Sequence, residues 1–445
     1  MTTRYTVPTT FASSKGRLRQ REAAKLKRKL LIVVGAGASI DFGMPSVGDV
    51  ANILSTQAEE LYPVREGGST NLYKYFETKI SEDWQAKIQN FQKKPTFEDV
   101  LYAVFALAAA FPAGQFTSAL GAFVSAKPLP EINLDDFSRE SIGPNTLPLF
   151  GRFLVDTLLK SFRDRCRASA SEKPTELAKL RTFFTALSQE FELSIVTLNY
   201  DDLVYRAAPR LEMGFDSEGR FVDDRIFQRA NWSCLLHLHG SVHFDMRDDN
   251  GGFTGFRGLH EIHWVDDLNA QFSQNAEGRG GFYSVEGPEF PTSSIIAGYG
   301  KTTQILRRPF RTYFAEVDRL AQGCDAALFL GYGFSDIHLN FAFEHFRDAR
   351  RRPAAVIDWA DNKAITANGG NQAGGHQTVS KLLNLLRTKK HTMTWLEHTF
   401  PNSVAPLKEA NEFEISNDPA YPLAIWYGGM LAACDHIDKV LARLR

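Results

Sequence analysis

Apolar positions along this chain fall into two patterns, short unbroken runs and longer stretches that repeat every three to four residues. Residues 30–34 (LLIVV), 193–198 (LSIVTL), 233–238 (SCLLHL), 326–330 (AALFL) and 354–357 (AAVI) are of the first kind. Such runs, bounded by turn residues, predict strands buried on both faces, as in parallel sheets. Residues 293–297 make a weaker candidate. The second pattern occupies 47–60, 97–111, 147–162, 176–190, 203–208, 311–321, 337–347, 380–387 and 423–444, and predicts amphipathic helices. Between 61 and 192 no segment predicts a strand. The expected organisation is an α/β fold: a parallel sheet with a large helical insertion or second helical domain. Its parts are a basic arm at 1–29, a core split between 30–60 and 193–360, the helical insertion at 61–192, and a mostly helical region at 361–445.

The residues that end the strand runs carry the candidate chemistry. Gly35 and Gly37 follow the first run, and Gly43 completes a spacing that suits either close approach of phosphates to a helix start or a plain tight turn. The second run stops at Asn199, Tyr200, Asp201 and Asp202, where open α/β sheets bind ligands, although Asp202 equally suits a helix cap. The third stops at His239, Gly240 and Ser241, and strand alternation puts His237 and His239 on one face. A second glycine turn, residues 331–336 (GYGFSD), follows the fourth run, and Asp358 ends the fifth. That carboxylate suits ribose hydroxyls or a plain solvent-facing strand end. Residues 245–290 read as a long loop or lid, and its His260 and His263 have no evident partner as metal ligands. The Phe and Leu residues of the insertion are expected in the core.

Composition narrows the classes of function. With 445 residues, 43% apolar and 23% charged, the chain is long enough for a large core, and a net charge of -1 gives no global attraction to nucleic acid or membrane. The apolar run at 101–113 falls short of the roughly 20 residues that span a bilayer, and the N-terminus lacks a signal-peptide core. A cytoplasmic protein with no membrane partner is expected. Cys166, Cys234, Cys324 and Cys434 stand far apart, so neither a disulfide framework nor a zinc site is expected, and no metal is assigned. Residues 15–29 carry eight basic side chains against the single acid Glu22. This stretch is either an arm for nucleic acid or an acidic partner, or a solvated helix face.

Four strand-end motifs stand in order: GAGAS at 35–39, TLNYD at 197–201, HG at 239–240 and GYGFSD at 331–336. Together they resemble the sirtuin superfamily, and are most similar to its divergent prokaryotic branch associated with antiphage defence. The resemblance implies a Rossmann-like parallel sheet that binds NAD as substrate. Gly35, Ala36, Gly37 and Ser39 would cradle the diphosphate, and Asp41 is expected among the cofactor-binding residues. Asn199 and Asp201 match ribose- and nicotinamide-side residues, His239 matches the catalytic histidine, and Gly331, Gly333 and Ser335 match the loop contacting the adenosine half, with Asp358 beyond it.

Three departures separate the chain from the deacylases. Only Cys324 lies where those enzymes carry paired zinc cysteines. Pro45, Ser46, Val47 and Gly48 stand where they read Pro-Asp-Phe-Arg, and Leu198 replaces a glutamine. The resemblance therefore implies an NAD hydrolase releasing nicotinamide and ADP-ribose, with an NAD-dependent deacylase, or a non-enzymatic NAD/ADP-ribose module supporting a nucleic-acid enzyme, as alternatives. Constitutive hydrolysis would kill the cell. Control is expected through a homo-oligomer and a partner, a HerA-type ATPase in preference to a short Argonaute, with nucleic acid reached through that partner or the basic arm. Removing Asn199 or His239 is expected to abolish activity with the thermal midpoint nearly unchanged.

Overall fold

The computed structural model describes residues 27–64, 70–87, 94–110, 131–134, 137–141, 146–247, 261–272, 283–284, 287–288, 293–297, 304–343, 346, 352–359, 400–416 and 422–445. The basic arm up to residue 26 and the helix expected at 380–387 lie outside them. Seven strands form the main sheet: β1 (Arg28–Val34), β2 (Phe191–Thr197), β3 (Cys234–His237), β4 (Ala326–Leu330), β5 (Ala354–Ile357), β6 (Glu414–Ile415) and β7 (Leu423–Trp426). Their spatial order is β3-β2-β1-β4-β5-β7-β6, and every neighbouring pair is parallel except β6 with β7. The first five follow the doubly wound order, in which the connections reverse direction between β1 and β4. At that seam Ile32 pairs with Ile195 on one side and Leu328 on the other.

Strand alternation divides the core. Leu30, Ile32 and Val34 pack into one cluster, and Leu31 and Val33 into the other. The first cluster receives α1 (Val47–Leu61), α2 (Leu72–Lys87), α3 (Phe97–Ala110), α4 (Thr146–Glu172) and α5 (Pro174–Glu190), through residues such as Leu54, Phe76, Val104, Phe150 and Phe184. The helices expected from 61 to 192 therefore bury their apolar faces in the same cluster as the sheet. The opposite cluster receives α6 (Phe310–Gly323), whose Phe310, Tyr313, Val317 and Leu320 are completely buried at three- and four-residue spacing. The short helix α7 (Ile337–Ala342) follows the second glycine turn on that side, and α8 (Phe400–Glu409), α9 (Gly429–Asp435) and α10 (Ile437–Leu444) complete the chain.

Local chemistry sets the helix starts. Ser46 and Asp49 form a reciprocal capping box on α1, and Thr96 and Asp99 exchange the same pair of bonds at α3. Pro45-Ser46-Val47, where deacylases carry a different motif, is thus the entry to a helix.

Four readings of the sequence need correction. Leu423–Trp426, expected to begin a helix, is strand β7: four buried apolar residues after Pro422 fit a strand as well as a helical turn. The insertion contains a hairpin, Glu131–Leu134 with Phe137–Ser141, although no strand was expected there. Part of the expected 245–290 loop is also a hairpin, Phe244–Arg247 with Glu261–Trp264. Residues 293–297 make a bridge between Ile295 and Gly240, not a strand.

Candidate functional site

The seam between β1 and β4 opens at the carboxyl ends of the strands, and both glycine turns meet there. Gly35 N–H donates to Leu330 O at 2.9 Å and Gly37 N–H to Gly331 O at 3.1 Å. A Cβ on Gly35 would lie 2.6 Å from Gly331 O, and one on Gly331 only 2.0 Å from Ala38 N. Gly331 also has a φ of 54°, a conformation that favours glycine. These glycines are needed because one turn lies on the other. Ala38 and Ser39 N–H groups bond back to Gly35 O and Ala36 O. The amides of Gly35, Gly37, Ala38 and Ser39 therefore each have a partner within the protein. Ala36, Gly37, Gly333 and Ser335 are the exposed parts of the two turns, and a Cβ on Gly333 would meet nothing within 4 Å.

From the end of β2, Asn199 reaches back across this joint. Its Nδ2 donates to Gly35 O at 3.0 Å and to Ser39 Oγ at 2.9 Å, and the Ser39 hydroxyl in turn hydrogen-bonds the Asp201 carboxyl. All three side chains are buried. Burial pushes the Asp201 carboxyl up to about 6, against the lowering effect of Ser39 and of the Leu203 amide, which donates to Asp201 Oδ1 at 3.1 Å. Asp202 stands at the N-cap of the short helix Leu203–Ala207 without making a side-chain cap bond. Its carboxylate pairs instead with Arg206 at 2.7 Å.

Asn199 and Asp201 line a cavity of about 90 Å³ whose other walls include Ala36, Ser39, Pro45, Val47, Phe97, Glu98 and Phe162. Its polar end is thus contributed by the sheet, and much of its aromatic and acidic wall by the helical insertion. Phe97, Glu98 and Phe162 were missed because their helical spacing marks core. Phe97 and Phe162 are indeed buried in the core, yet they also face this space. The cavity is well below the roughly 300 Å³ of a usual small-molecule pocket.

The two histidines of the third run part company. The strand ends at His237, and Gly240, with a φ of 99°, turns the chain. His237 is fully buried against Phe244 and Trp264, both ring nitrogens lack a partner, and burial pushes it down to about 3. It is a neutral core residue. His239 instead places Nε2 2.9 Å from Asp336 Oδ2. Asp336 caps α7 with its other oxygen, accepting from Leu339 N–H at 3.0 Å. Sequence reading quoted Asp336 as the last letter of a motif and gave it no role, since nothing local signals a partner 97 residues away.

Two expected ligand residues have other engagements. Asp41 turns its carboxylate to Leu431 N–H at 2.9 Å, in the first turn of α9, where a helix start attracts negative charge. Asp358 ends β5 half-buried, accepts from Trp359 N–H through Oδ1, and is pushed upward by burial. All four cysteines are free and buried, and among the described residues no cluster of three or more His, Cys, Asp or Glu could hold a metal. No helix among the described residues is long and apolar enough to cross a membrane.

The strand order and the polar residues at the seam define a doubly wound α/β protein with its candidate site at the reversal point. Residues 193–372 match the family model of the SIR2-like domain, a stretch that begins within β2 and holds β3 to β5, Asn199, Asp201, His239 and the second glycine turn. Comparison with curated protein sequences finds no match. Similar solved structures include a Sir2 homologue in complex with NAD, 12% identical, covering 82% of this chain and 91% of that one with a TM-score of 0.30. Another is described as the structural basis for the mechanism and regulation of Sir2 enzymes, at 14% identity, 74% and 81% coverage and a TM-score of 0.28.

Proposed function

We propose that the chain is an NAD hydrolase that releases nicotinamide and ADP-ribose, serving as the effector of an antiphage defence system and gated by oligomerisation or a partner such as a HerA-type ATPase. The observation that carries this reading is the buried relay from Asn199 through Ser39 to Asp201, set at the reversal point of the sheet. The match to the SIR2-like domain supports it.

Cleavage breaks the bond between the ribose anomeric carbon and the nicotinamide nitrogen, and the electron pair leaves with the ring, neutralising its pyridinium charge. Water adds to the carbon and gives up a proton. In this reading Asp201 and the aromatic wall receive the nicotinamide, and Glu98 adds negative charge beside a cationic ring. Asn199 spends Nδ2 on Gly35 and Ser39, so its Oδ1 is the atom that accepts from the attacking water. His239 acts as the base near the ribose. A positioned base contributes about 10²- to 10⁴-fold, or roughly 3 to 5 kcal/mol of barrier. A whole dinucleotide exceeds the cavity, so Phe97 and Glu98 must shift to admit it.

The test is incubation of purified protein with NAD, with nicotinamide followed by chromatography, alone and with the products of neighbouring genes. Wild type is expected to release nicotinamide without any acyl-lysine peptide, slowly as an isolated oligomer and faster with its partner. Release that depends on such a peptide would favour the deacylase, and no release under any condition would end the hydrolase reading.

A further inference from the structure

The geometry points to Asp336 as the residue that sets which nitrogen of His239 works as the base. This rests on the hydrolase reading proposed above. A carboxylate can only accept, so the 2.9 Å contact between Asp336 Oδ2 and His239 Nε2 places the hydrogen on Nε2 and the lone pair on Nδ1. Both side chains are buried, 8% exposed for His239 and 6% for Asp336, so water does not compete for the bond. The carboxylate is itself held: Oδ1 accepts from Leu339 N–H at the start of α7. An acceptor fixed at one end to a helix start is a rigid support for an imidazole, the arrangement a catalytic base requires of the group behind it. In this role Asp336 never touches substrate. It holds the proton at Nε2 and turns Nδ1 toward the ribose.

Two substitutions that both keep the helix cap separate this role from a merely structural one. In Asp336→Asn the amide oxygen still accepts from Leu339 N–H, which leaves the NH₂ group facing His239. A donor there demands an acceptor, so the imidazole takes the opposite tautomer and Nδ1 loses its lone pair. Asp336→Ser also caps α7 but leaves the ring free to adopt either tautomer. The expected order of kcat is wild type, then Ser, then Asn, with Asn down by at least about 100-fold in line with a base held in the wrong tautomer. KM for NAD should stay within about twofold, since ground-state binding is untouched. Nitrogen NMR of histidine-labelled protein, with the His239 signal identified through His239→Gln, should show hydrogen on Nε2 in wild type and on Nδ1 in the Asn variant. Equal kcat for both variants and wild type, or the same tautomer in Asn and wild type, would overturn the inference. A wild type that releases no nicotinamide but shows the tautomer change would instead refute the hydrolase reading and leave the Asp336–His239 pairing standing.

Discussion

Replacing Asp201 by Asn should stabilise the protein, and more so as pH rises. The carboxyl ionises near 6 in the fold against 3.8 ordinarily, because burial penalises its charged form. A group raised in this way binds its proton more tightly folded than unfolded, so stability falls as pH rises from the lower value through the upper one. Linkage makes the cost about 1 to 2 kcal/mol near pH 5 and about 3 kcal/mol near pH 7.5. Asparagine keeps an oxygen for the Leu203 amide and carries no charge to desolvate. Urea denaturation of both proteins at the two pH values, with slopes checked for equality, should show the variant's advantage widening by about 1 to 2 kcal/mol at the higher pH. An advantage that is constant with pH, or that shrinks, would refute the assignment of Asp201 as a buried, reluctantly ionised carboxyl. Nicotinamide release should fall in the same variant, the trade of stability for activity expected where a site holds a strained charge.

Asn199→Ala and His239→Ala should each abolish nicotinamide release, measured by chromatography, but they should differ in stability. Asn199→Ala removes one of two donors from Gly35 O, which keeps Ala38 N–H, and the donor to Ser39 Oγ, and should cost about 1 to 3 kcal/mol in urea denaturation, against the nearly unchanged midpoint expected from sequence. Gly331→Ala should destabilise by at least about 2 kcal/mol, since its Cβ would strike Ala38 N, whereas Gly333→Ala should stay within about 0.5 kcal/mol by the same measurement. Asp358→Ala should raise KM for NAD more than it lowers kcat in steady-state assays, and an unchanged KM would return Asp358 to a plain strand end.

Strands β1, β2, β4 and β5 were legible because burial on both faces writes itself as an unbroken apolar run, and the turns after them because few residues but glycine fit there. Strand β7 was not, since four apolar residues satisfy either period. At the site, His239, Asn199 and Asp201 stand out locally as polar residues ending apolar runs. What they touch does not. The spacing of the glycine turns is the same whether a phosphate or another turn lies against them, and only the folded chain brings Gly331 onto Gly35. Nothing beside Asp41 in the sequence signals that its carboxylate reaches a helix that begins nearly 400 positions later. Phe97 and Glu98 approach the cavity through the packing of one helix layer on a sheet, which leaves no mark in their own neighbourhood.

The contact between the two glycine turns also constrains how this chain can change over time. An added side chain at position 35 or 331 collides with the backbone of the opposite turn, so neither position can drift alone without dislodging its counterpart. Among related chains, any that carry a bulkier residue in one turn should carry a compensating displacement or deletion in the other. The two segments, almost 300 positions apart, are inherited as one part.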